Sequence, residues 1–388
     1  MPNGWPLSKA PGKIPDERLA ALAGDVARLG HEVVADALER ELRRRADAFL
    51  TGLETYRRHP YRRPATRIPV LWRAVGSNGG AARLLDYGRN AGGPAVLIIP
   101  SLINRHYILD LLPERSFARY LALRGLRPLV LDWGEPGERE RDFTIGDYIA
   151  GPLANAFSAA VDSAGRPVAV LGYCMGGLLS LALALRRPAD IACLALLATP
   201  WDFHAEAPEQ ARLLAGAVEL LPLYAGAAGP LPVTVIQSLF AALDPFLAER
   251  KFVRFAGLDP EAAAARDFVA LEDWINDGVP LARNVALECV RSWYQDNEPA
   301  RGLWQVGGQP IRPQRVDTPT LVVLPSRDRI VPPASAEPLA AAIPAAAVLR
   351  PPFGHIGMMA SAGAPQAVWR PIADWLKGDT SEQHTGAK

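Results

Sequence analysis

The sequence predicts an α/β fold in which a mostly parallel central sheet carries helices on both faces. Three observations lead to this prediction. From residue 69 onward, short apolar runs alternate with helical segments, as expected of strands that are buried on both faces. A cysteine flanked by glycines stands directly between one of these runs and the next helix. About a hundred residues of different texture interrupt the alternation, which predicts an inserted helical cap rather than a loop.

Composition limits the classes of function. The chain has 388 residues, of which 49% are hydrophobic, enough for one large domain with an insertion or for two compact domains. The formal net charge is +1. The chain thus lacks the excess of basic residues that would predict nucleic-acid binding. The three cysteines are Cys174, Cys193 and Cys289; they predict neither a disulfide framework nor a zinc site. Cys193 lies in an apolar strand and Cys289 in a cap helix, so both are expected in the core. A reducing cytoplasm without a bound metal fits this set.

Targeting and membrane signals are not expected. The first residues lack the basic start and apolar run of a secretory signal. The longest uncharged stretch runs between Glu219 and Asp244, and it contains Pro222, Pro230 and Pro232. These helix breakers argue against a membrane-spanning helix.

Changes of texture along the chain divide it into segments. Apolar residues at helical spacing predict helix over 16–58, and Pro60 and Pro64 end it. The predicted segments are an N-terminal helical segment (1–65), an α/β core (66–200 and 316–377), a cap or lid (201–315) and a disordered polar tail (378–388).

The elements of the core follow from local pattern. Apolar runs bounded by turn residues predict the strands Pro69–Val75, Arg83–Tyr87, Ala95–Pro100, Pro128–Asp132, Val168–Gly172, Ile191–Leu197, Pro319–Pro325 and Ala346–Arg350. Helical spacing predicts the helices Leu109–Leu123, Thr144–Val161, Met175–Leu185, one from Pro333 and one near Ala367–Leu376.

The strongest chemical motif is Gly172-Tyr173-Cys174-Met175-Gly176, which stands between a buried strand and a helix. This is the nucleophile-elbow pattern with cysteine in the place of the usual serine. The central residue sits on a strained turn, and side chains two positions away would collide with neighbouring backbone. The turn also places Cys174 at a helix N-terminus, where the helix dipole favours a thiolate. The competing interpretation is a buried structural cysteine in a glycine-rich turn.

An acid and a histidine follow in the order that this motif requires. Asp328 comes after a late strand, and His355 lies in a Gly-His-x-Gly loop after the last one. The order nucleophile, acid, histidine is that of the α/β-hydrolase fold, so we predict a Cys174–His355–Asp328 triad. The alternative for Asp328 is a turn or helix-cap residue near Pro332 and Pro333, and for His355 a loop histidine. The histidines expected to be surface or packing residues are His31, His59, His106, His204 and His384.

An oxyanion hole needs two backbone donors. The first is expected to be the N–H of Met175, the residue after the nucleophile. The second should come from the loop after the Ala95–Pro100 strand, where Leu102 is the first choice and Ile103 the next. Asn104 and His106 are expected to hold this loop by hydrogen bonds.

The cap is rich in apolar residues, which leaves two interpretations open. They form a lid over a greasy acyl substrate or a surface that docks on lipid or polymer, or they form the cap's own core. The residues concerned are Trp201, Trp274, Trp293 and Trp304 and the stretch Leu220–Leu243.

With these motifs in place, the sequence resembles the polyhydroxyalkanoate synthase family over roughly residues 50–375. Two segments, Leu131–Gly134 and Asp147–Ile149, resemble the short, two-subunit type. The other stretches that carry the resemblance are Tyr56–Tyr61, Pro100–Leu111, the box Gly172–Gly177, Asp328 and Gly354–Ile356.

The resemblance implies a reaction and a setting. Cys174 would take a hydroxyacyl group from an (R)-3-hydroxyacyl-CoA thioester and extend a polyester chain. Asp328 would also help to activate the 3-hydroxyl of the incoming unit. Coenzyme A enters as part of the substrate, and no cofactor is expected. The partners would be hydroxyacyl-CoA and the polyester chain, with a granule surface, a homodimer or a second synthase subunit left open. The location would be cytoplasmic, with polyester granules as a site of attachment.

The chain departs from the family's pattern in three places. Arg329 follows the acid where histidine is usual, and Leu178 replaces a small polar residue after the box. The family's Trp-Asn-x-Asp pattern reads Trp274-Ile275-Asn276-Asp277 here. The alternative function is therefore a hydrolase, acting as polyhydroxyalkanoate depolymerase or acyl-CoA thioesterase, since the same triad serves both. A third hypothesis is a granule-associated scaffold without activity, against which the intact order of Cys174, Asp328 and His355 argues.

Overall fold

The computed structural model describes residues 16–74, 81–88, 92–205, 208–209, 211, 216, 229–243 and 246–378. The chain divides into two compact units, which are treated separately below. The sheet unit contains Ala65–Gln237 and Trp274–Lys388, and the helical unit contains Pro6–Pro64 and Ser238–Asp273. The predictions for the end of the tail, residues 379–388, and for His384 concern residues outside the described part of the chain.

The helices, in chain order, are α1 (Asp16–Leu29), α2 (His31–Arg58), α3 (Phe117–Leu123), α4 (Ile145–Tyr148), α5 (Ala154–Ala164), α6 (Met175–Arg186), α7 (Val233–Leu243), α8 (Leu247–Ala256), α9 (Ala263–Asn276), α10 (Arg283–Glu288), α11 (Glu298–Arg301), α12 (Pro333–Ala342), α13 (Gly357–Ala360) and α14 (Arg370–Leu376). The strands are β1 (Val70–Arg73), β2 (Arg83–Asp86), β3 (Ala95–Ile99), β4 (Arg127–Asp132), β5 (Val168–Tyr173), β6 (Ile191–Leu197), β7 (Gln305–Val306), β8 (Gln309–Pro310), β9 (Thr320–Val323) and β10 (Ala347–Leu349). Short 3-10 or π-helical turns occupy His106–Asp110, Ile149–Leu153, Pro188–Asp190, Cys289–Gln295, Pro313–Arg315 and Pro365–Trp369.

Within the described residues, eight strands form one sheet in the order β1-β2-β4-β3-β5-β6-β9-β10. The pairs β1–β2 and β2–β4 are antiparallel, and the strands from β4 to β10 along this order are parallel. The predicted α/β-hydrolase fold, with a mostly parallel central sheet, is therefore confirmed. Parallel strands end at the same edge of the sheet, so the residues after β3, β5, β9 and β10 share one face of the unit.

The central strands of the sheet are buried on both faces. Every residue of β3 and of β5 is buried, which explains why both strands read as unbroken apolar runs. All eight strands predicted from such runs are present, with ends that differ by at most two residues.

One predicted helix is wrong over its first half. The spacing predicted helix over Leu109–Leu123, whereas the structure has a 3-10 turn at His106–Asp110 and begins α3 only at Phe117. Pro113 lies between the two, and proline has no N–H for a helical hydrogen bond. Ser116 then caps the new helix, because its hydroxyl accepts the N–H of Arg119 at 3.1 Å.

The helical unit has its own small core. Phe252, Phe255, Ala265, Phe268 and Val269 pack together, and Phe255 stacks on Phe268 with 4.2 Å between the ring centroids. The hydroxyl of Tyr56 donates to Asp273 at 2.8 Å, which ties the end of α2 to α9. The N-terminal helices thus pack on residues that the sequence had assigned to the cap.

The predicted cap, residues 201–315, is shared between the two units. Its ends up to Gln237 and from Trp274 group with the sheet, and Ser238–Asp273 groups with the N-terminal helices. The predicted domain boundaries themselves stay a prediction. Among the described helices, none combines the length and the apolar character needed to cross a membrane.

A glycine of α2 tests how closely this helix packs, and a glycine of α1 serves as its control. Gly52 is buried, and a Cβ at this position would overlap the carbonyl oxygen of Phe252 and lie 2.8 Å from its carbonyl carbon. Gly24 of α1 has nothing within 4 Å of the same point. We expect Gly52→Ala to lower the free energy of unfolding by about 1–3 kcal/mol, because α2 must move away from α8. Gly24→Ala should raise it by about 1 kcal/mol through helix propensity.

Urea denaturation followed by circular dichroism measures both changes. Equal effects of the two substitutions would show that Gly52 is not a point of close helix contact.

Candidate active site

The turn after β5 gives Cys174 an unusual backbone. Its φ is 56° and its ψ is −126°, a region that residues with a side chain rarely adopt. The N–H of Cys174 donates to the carbonyl of Leu197 at 2.8 Å, and its own carbonyl accepts the N–H of Gly177 at 2.9 Å. Helix α6 begins at the next residue. These bonds hold the strained turn and present the half-buried sulfur at the carboxyl edge of the sheet.

The flanking glycines are required by packing. A Cβ on Gly172 would lie 2.5 Å from the Cα of Gly177, and one on Gly176 would lie 2.7 Å from the carbonyl oxygen of Pro100. A Cβ on Gly177 would lie 2.8 Å from the Cβ of Thr199. Real Cβ atoms do not approach other atoms so closely, so the glycine pattern around the cysteine records two close backbone approaches and one close approach to the side chain of Thr199.

Asp328 is buried and uses both of its carboxylate oxygens. Oδ2 lies 2.7 Å from Nδ1 of His355, and Oδ1 accepts the N–H groups of Ile330 and Val331, each at 2.9 Å. The two sequence-based interpretations of Asp328 therefore meet in one residue. It closes the turn after β9 with one oxygen and holds the histidine with the other.

His355 is buried and oriented from two sides. Besides the bond to Asp328, its carbonyl accepts the hydroxyl of Tyr173 at 3.1 Å. The ring of Tyr173 stacks on the imidazole with a centroid distance of 5.2 Å and an interplanar angle of 28°. Sequence reasoning gave Tyr173 no role, although it lies next to the cysteine in the motif. Its position there was the one available signal.

The electrostatics of the site favour a charged imidazole. Burial by itself lowers the pKa of His355, but the charges of Asp328 and Cys174 and the hydrogen bonds to both raise it well above its ordinary value. The structure thus brings Cys174, His355 and Asp328 close together, and their roles as a catalytic triad stay a prediction. A thiol beside an imidazole that is fixed by a carboxylate can act as a nucleophile for acyl transfer.

The loop after β3 lies against the cysteine turn, as the approach of Gly176 to Pro100 shows. Within this loop the N–H of Ile103 is already used, since it donates to the hydroxyl of Ser101 at 3.2 Å. Leu102 is buried, and no described residue accepts its N–H. Leu102 is thus the better candidate of the two, and its role with Met175 stays a prediction.

The same loop is attached to the end of β4. His106 Nδ1 lies 3.1 Å from Asp132 Oδ1 without good hydrogen-bond alignment, so the contact is chiefly electrostatic. The indole N–H of Trp133 donates to the carbonyl of Pro100 at 3.0 Å. Burial alone would raise the pKa of Asp132, but His106 and Arg83 hold it well below its ordinary value. His106 therefore attaches the loop to Asp132, but through this electrostatic contact rather than through the expected hydrogen bond.

The four tryptophans of the predicted cap are buried, which supports the packing interpretation over the lid interpretation for these side chains. Trp304 contacts both Trp201 and Trp293, with ring centroids 6.4 Å and 5.8 Å apart. Trp274 donates its indole N–H to the carbonyl of Arg105 at 2.8 Å. The part of Leu220–Leu243 before residue 229 lies outside the described residues.

The other predicted packing histidines behave as such. His59 is buried and contacts the carbonyl of Pro260 at 3.0 Å, and His204 contacts that of Tyr294 at 2.7 Å. In the part of the chain that the structure describes, no three His, Cys, Asp or Glu side chains are grouped as metal ligands.

Comparison with known proteins agrees with this geometry. The alpha/beta hydrolase fold family matches residues 94–362. A crystal structure of a hydrolase from Pseudomonas aeruginosa PA01 superposes with a TM-score of 0.52 at 19% identity, covering 81% of this chain and 99% of that one. The chain is thus a member of the α/β-hydrolase superfamily.

More specific relatives lie within that superfamily. The poly(3-hydroxyalkanoate) polymerase subunit PhaC of Synechocystis sp. is 30% identical over 291 residues, which are 72% of this chain and 77% of the relative. The subunit of the same name from Haloferax mediterranei is 28% identical over 287 residues. The match takes in 72% of this chain but only 58% of that longer relative. The chain belongs to the polyhydroxyalkanoate synthase family.

The three cysteines should differ in reactivity. Burial raises the pKa of Cys193 to about 11, and burial together with the nearby Glu288 raises the pKa of Cys289 well above its ordinary value. Cys193 is partly exposed like Cys174, so its expected place in the core is wrong, whereas Cys289 is buried as expected. Both remain neutral thiols at neutral pH, and Cys174 differs from them because it lies beside His355. We expect iodoacetamide to alkylate Cys174 first, as measured by peptide mass spectrometry over time.

The matched control is the urea-unfolded protein, in which all three thiols should react alike. Equal labelling of Cys193 or Cys289 in the folded protein would contradict the assignment of Cys174 as the reactive thiol.

Proposed function

We propose that this chain is a polyhydroxyalkanoate synthase-like acyltransferase. It would form a Cys174-bound hydroxyacyl intermediate from (R)-3-hydroxyacyl-CoA and extend a polyester. The observation that carries the proposal is the buried His355–Asp328 pair beside the strained turn of Cys174. It occurs in a chain related along most of its length to proteins named poly(3-hydroxyalkanoate) polymerase subunits.

The first step would be acylation. His355 holds the proton of the Cys174 thiol, and the sulfur attacks the thioester carbonyl carbon and forms a new carbon–sulfur bond, while the carbonyl electrons move onto oxygen. The N–H groups of Met175 and Leu102 would stabilise this oxyanion. When it collapses, the bond to coenzyme A breaks, and the departing thiolate takes a proton from His355. One thioester replaces another, so the step is nearly balanced in energy.

The second step would be transfer to a hydroxyl. His355, now neutral, takes the proton of a hydroxyl from a second hydroxyacyl unit, and the oxygen of that hydroxyl attacks the acyl carbon. Cys174 leaves as a thiolate, and an ester bond has formed. Asp328 stabilises the imidazolium that develops in this step, through its 2.7 Å contact with Nδ1. If water took the place of the hydroxyl, the same residues would hydrolyse the intermediate.

The proposed partners follow from this chemistry. Hydroxyacyl-CoA and the growing polyester are the substrates, and coenzyme A leaves as a product rather than acting as a bound cofactor. A second synthase subunit or a second copy of the chain, and attachment to a cytoplasmic polyester granule, complete the proposal.

The experiment that tests the proposal is incubation of the protein with 3-hydroxybutyryl-CoA. Coenzyme A release, the mass of Cys174 and the ester products are followed together. A synthase releases coenzyme A with formation of oligomeric ester. Release of 3-hydroxybutyrate in equal amount to coenzyme A identifies a hydrolase. Absence of both coenzyme A release and an acyl adduct on Cys174 rejects both, since acylation is common to them.

The nucleophile is tested by substitution. Cys174→Ala should reduce turnover by several orders of magnitude while the fold is kept, because removal of a nucleophile removes the covalent route. Cys193→Ala and Cys289→Ala serve as matched controls and should change stability at most. Turnover and melting temperature are measured for all three. Undiminished turnover of Cys174→Ala would end the proposal.

The acid separates synthase from hydrolase. Asp328→Asn keeps the shape of the side chain but removes the charge that holds His355. In a synthase, Cys174 should still be acylated in part, and elongation should fall further, so that acyl-enzyme accumulates. Mass spectrometry of the protein is compared with coenzyme A release over time. An equal loss in the two steps would favour the hydrolase.

A further inference from the structure

Asp277 binds two residues of the loop that follows β3. We call residues 101–107 the oxyanion loop, since it contains Leu102. Asp277 Oδ1 accepts a hydrogen bond from Nε of Arg105 at 2.6 Å, and Oδ2 accepts the hydroxyl of Tyr107 at 3.0 Å. Each oxygen of one carboxylate thus holds a different residue of the same loop. All of these residues belong to the sheet unit.

The chain around Asp277 holds the backbone of the loop as well. The N–H of Val279 donates to the carbonyl of Ile103 at 3.2 Å, and Asn104 and Gly278 form an antiparallel β-bridge. These contacts flank Leu102 on its C-terminal side. The indole N–H of Trp274 also donates to the carbonyl of Arg105. Residues 274–279 thus hold the oxyanion loop through both backbone and side-chain contacts.

Arg105 stays charged in this arrangement. Burial lowers the pKa of its guanidinium, but the hydrogen bonds and charges of Asp277 and Glu135 raise it overall. Arg105 also donates a hydrogen bond to Glu135, which follows β4. The loop is therefore held between residues 274–279 and the end of β4. The carboxylate of Asp277 reaches both Arg105 and Tyr107.

Magnitudes favour a role in positioning over a role in stability. The side chains of Arg105 and Asp277 are 29% and 44% exposed, and ion pairs of such exposure contribute little to folding. An oxyanion donor, in contrast, must be placed closely, because a displacement of about 1 Å at a reacting centre can cost about a hundredfold in rate. The Arg105–Asp277 contact therefore adds little to the stability of the fold, but it matters for the position of the Leu102 N–H.

We propose that Asp277 is a positioning residue for acyl transfer, which acts through Arg105 and Tyr107 to hold the Leu102 N–H in the oxyanion hole. The proposal rests on the proposed function in that it takes Cys174 as the nucleophile. It does not depend on which acyl acceptor follows. Asp277 itself does not touch the reacting atoms.

Two probes separate positioning from general damage. p-Nitrophenyl acetate acylates Cys174 through an oxyanion, as its carbonyl oxygen becomes negative and nitrophenolate leaves. Iodoacetamide alkylates the same sulfur by displacing iodide from carbon, with no oxyanion. A loss confined to acylation reports on the oxyanion hole, whereas a loss in both reports on the thiol or on the fold.

The variants are Asp277→Ala, Asp277→Asn and, as matched control, Asp374→Asn. The control removes the charge of another partly exposed pair, Arg124–Asp374 at 2.6 Å, on the same unit. We expect Asp277→Ala to lower the rate constant of Cys174 acylation, measured at saturating p-nitrophenyl acetate, by about tenfold to a hundredfold. Asp277→Asn should lose less, because its amide oxygen still accepts one bond. The control should acylate at the wild-type rate.

Alkylation by iodoacetamide should stay within about twofold of wild type in all three variants, with melting temperatures near that of the control. Wild-type acylation by Asp277→Ala, or equal loss of acylation and alkylation, would overturn the proposal. If wild-type protein is inert toward 3-hydroxybutyryl-CoA yet Asp277→Ala alone slows acylation by p-nitrophenyl acetate, the polymerase assignment fails and the positioning role stands. If wild-type Cys174 is acylated by neither p-nitrophenyl acetate nor 3-hydroxybutyryl-CoA, both fail.

Discussion

The site is built on a backbone turn that an L-amino acid adopts only under strain. Cys174 has a positive φ, a conformation that costs about 1–3 kcal/mol for a residue with a side chain. Bonds to Leu197 and from Gly177 hold it there, and three glycines let β3, β6 and α6 approach it closely. The strain places a sulfur at the sheet edge and at a helix N-terminus at once. Every other group of the site is arranged around that point.

Two kinds of support surround the turn. The first is buried: Asp328 satisfies a backbone turn with one oxygen and fixes His355 with the other, while Tyr173 stacks on the imidazole. The second attaches the loop after β3 on two sides, through the partly exposed Asp277 and the buried Asp132. The buried support sets the charge of the imidazole. The ion pair of the partly exposed Asp277 contributes little to stability, so its value lies in placing backbone donors.

Local pattern was informative wherever burial is uniform. Strands that are buried on both faces, such as β3 and β5, leave an apolar run that local reasoning detects. All eight strands of the main sheet were predicted, including the edge strands β1 and β10, in which no residue is buried. Helices were less certain, because one proline and one cap divided the predicted Leu109–Leu123. Apolar spacing over 16–58 predicted helix correctly, yet Leu22, Leu38 and Leu42 lie exposed. Periodicity reports a helix face and does not say what covers it.

The sequence by itself determined the fold class and the order of the elements. It also predicted that Cys174, Asp328 and His355 share one edge of the sheet, because chain order and strand ends limit which side chains can reach one edge of a parallel sheet. Only the tertiary structure decided that Tyr173 stacks on the histidine and that Asp277 holds the oxyanion loop. Those contacts join residues up to 182 positions apart, and no local spacing encodes them. They depend on how separate segments pack, which is a property of the folded chain alone.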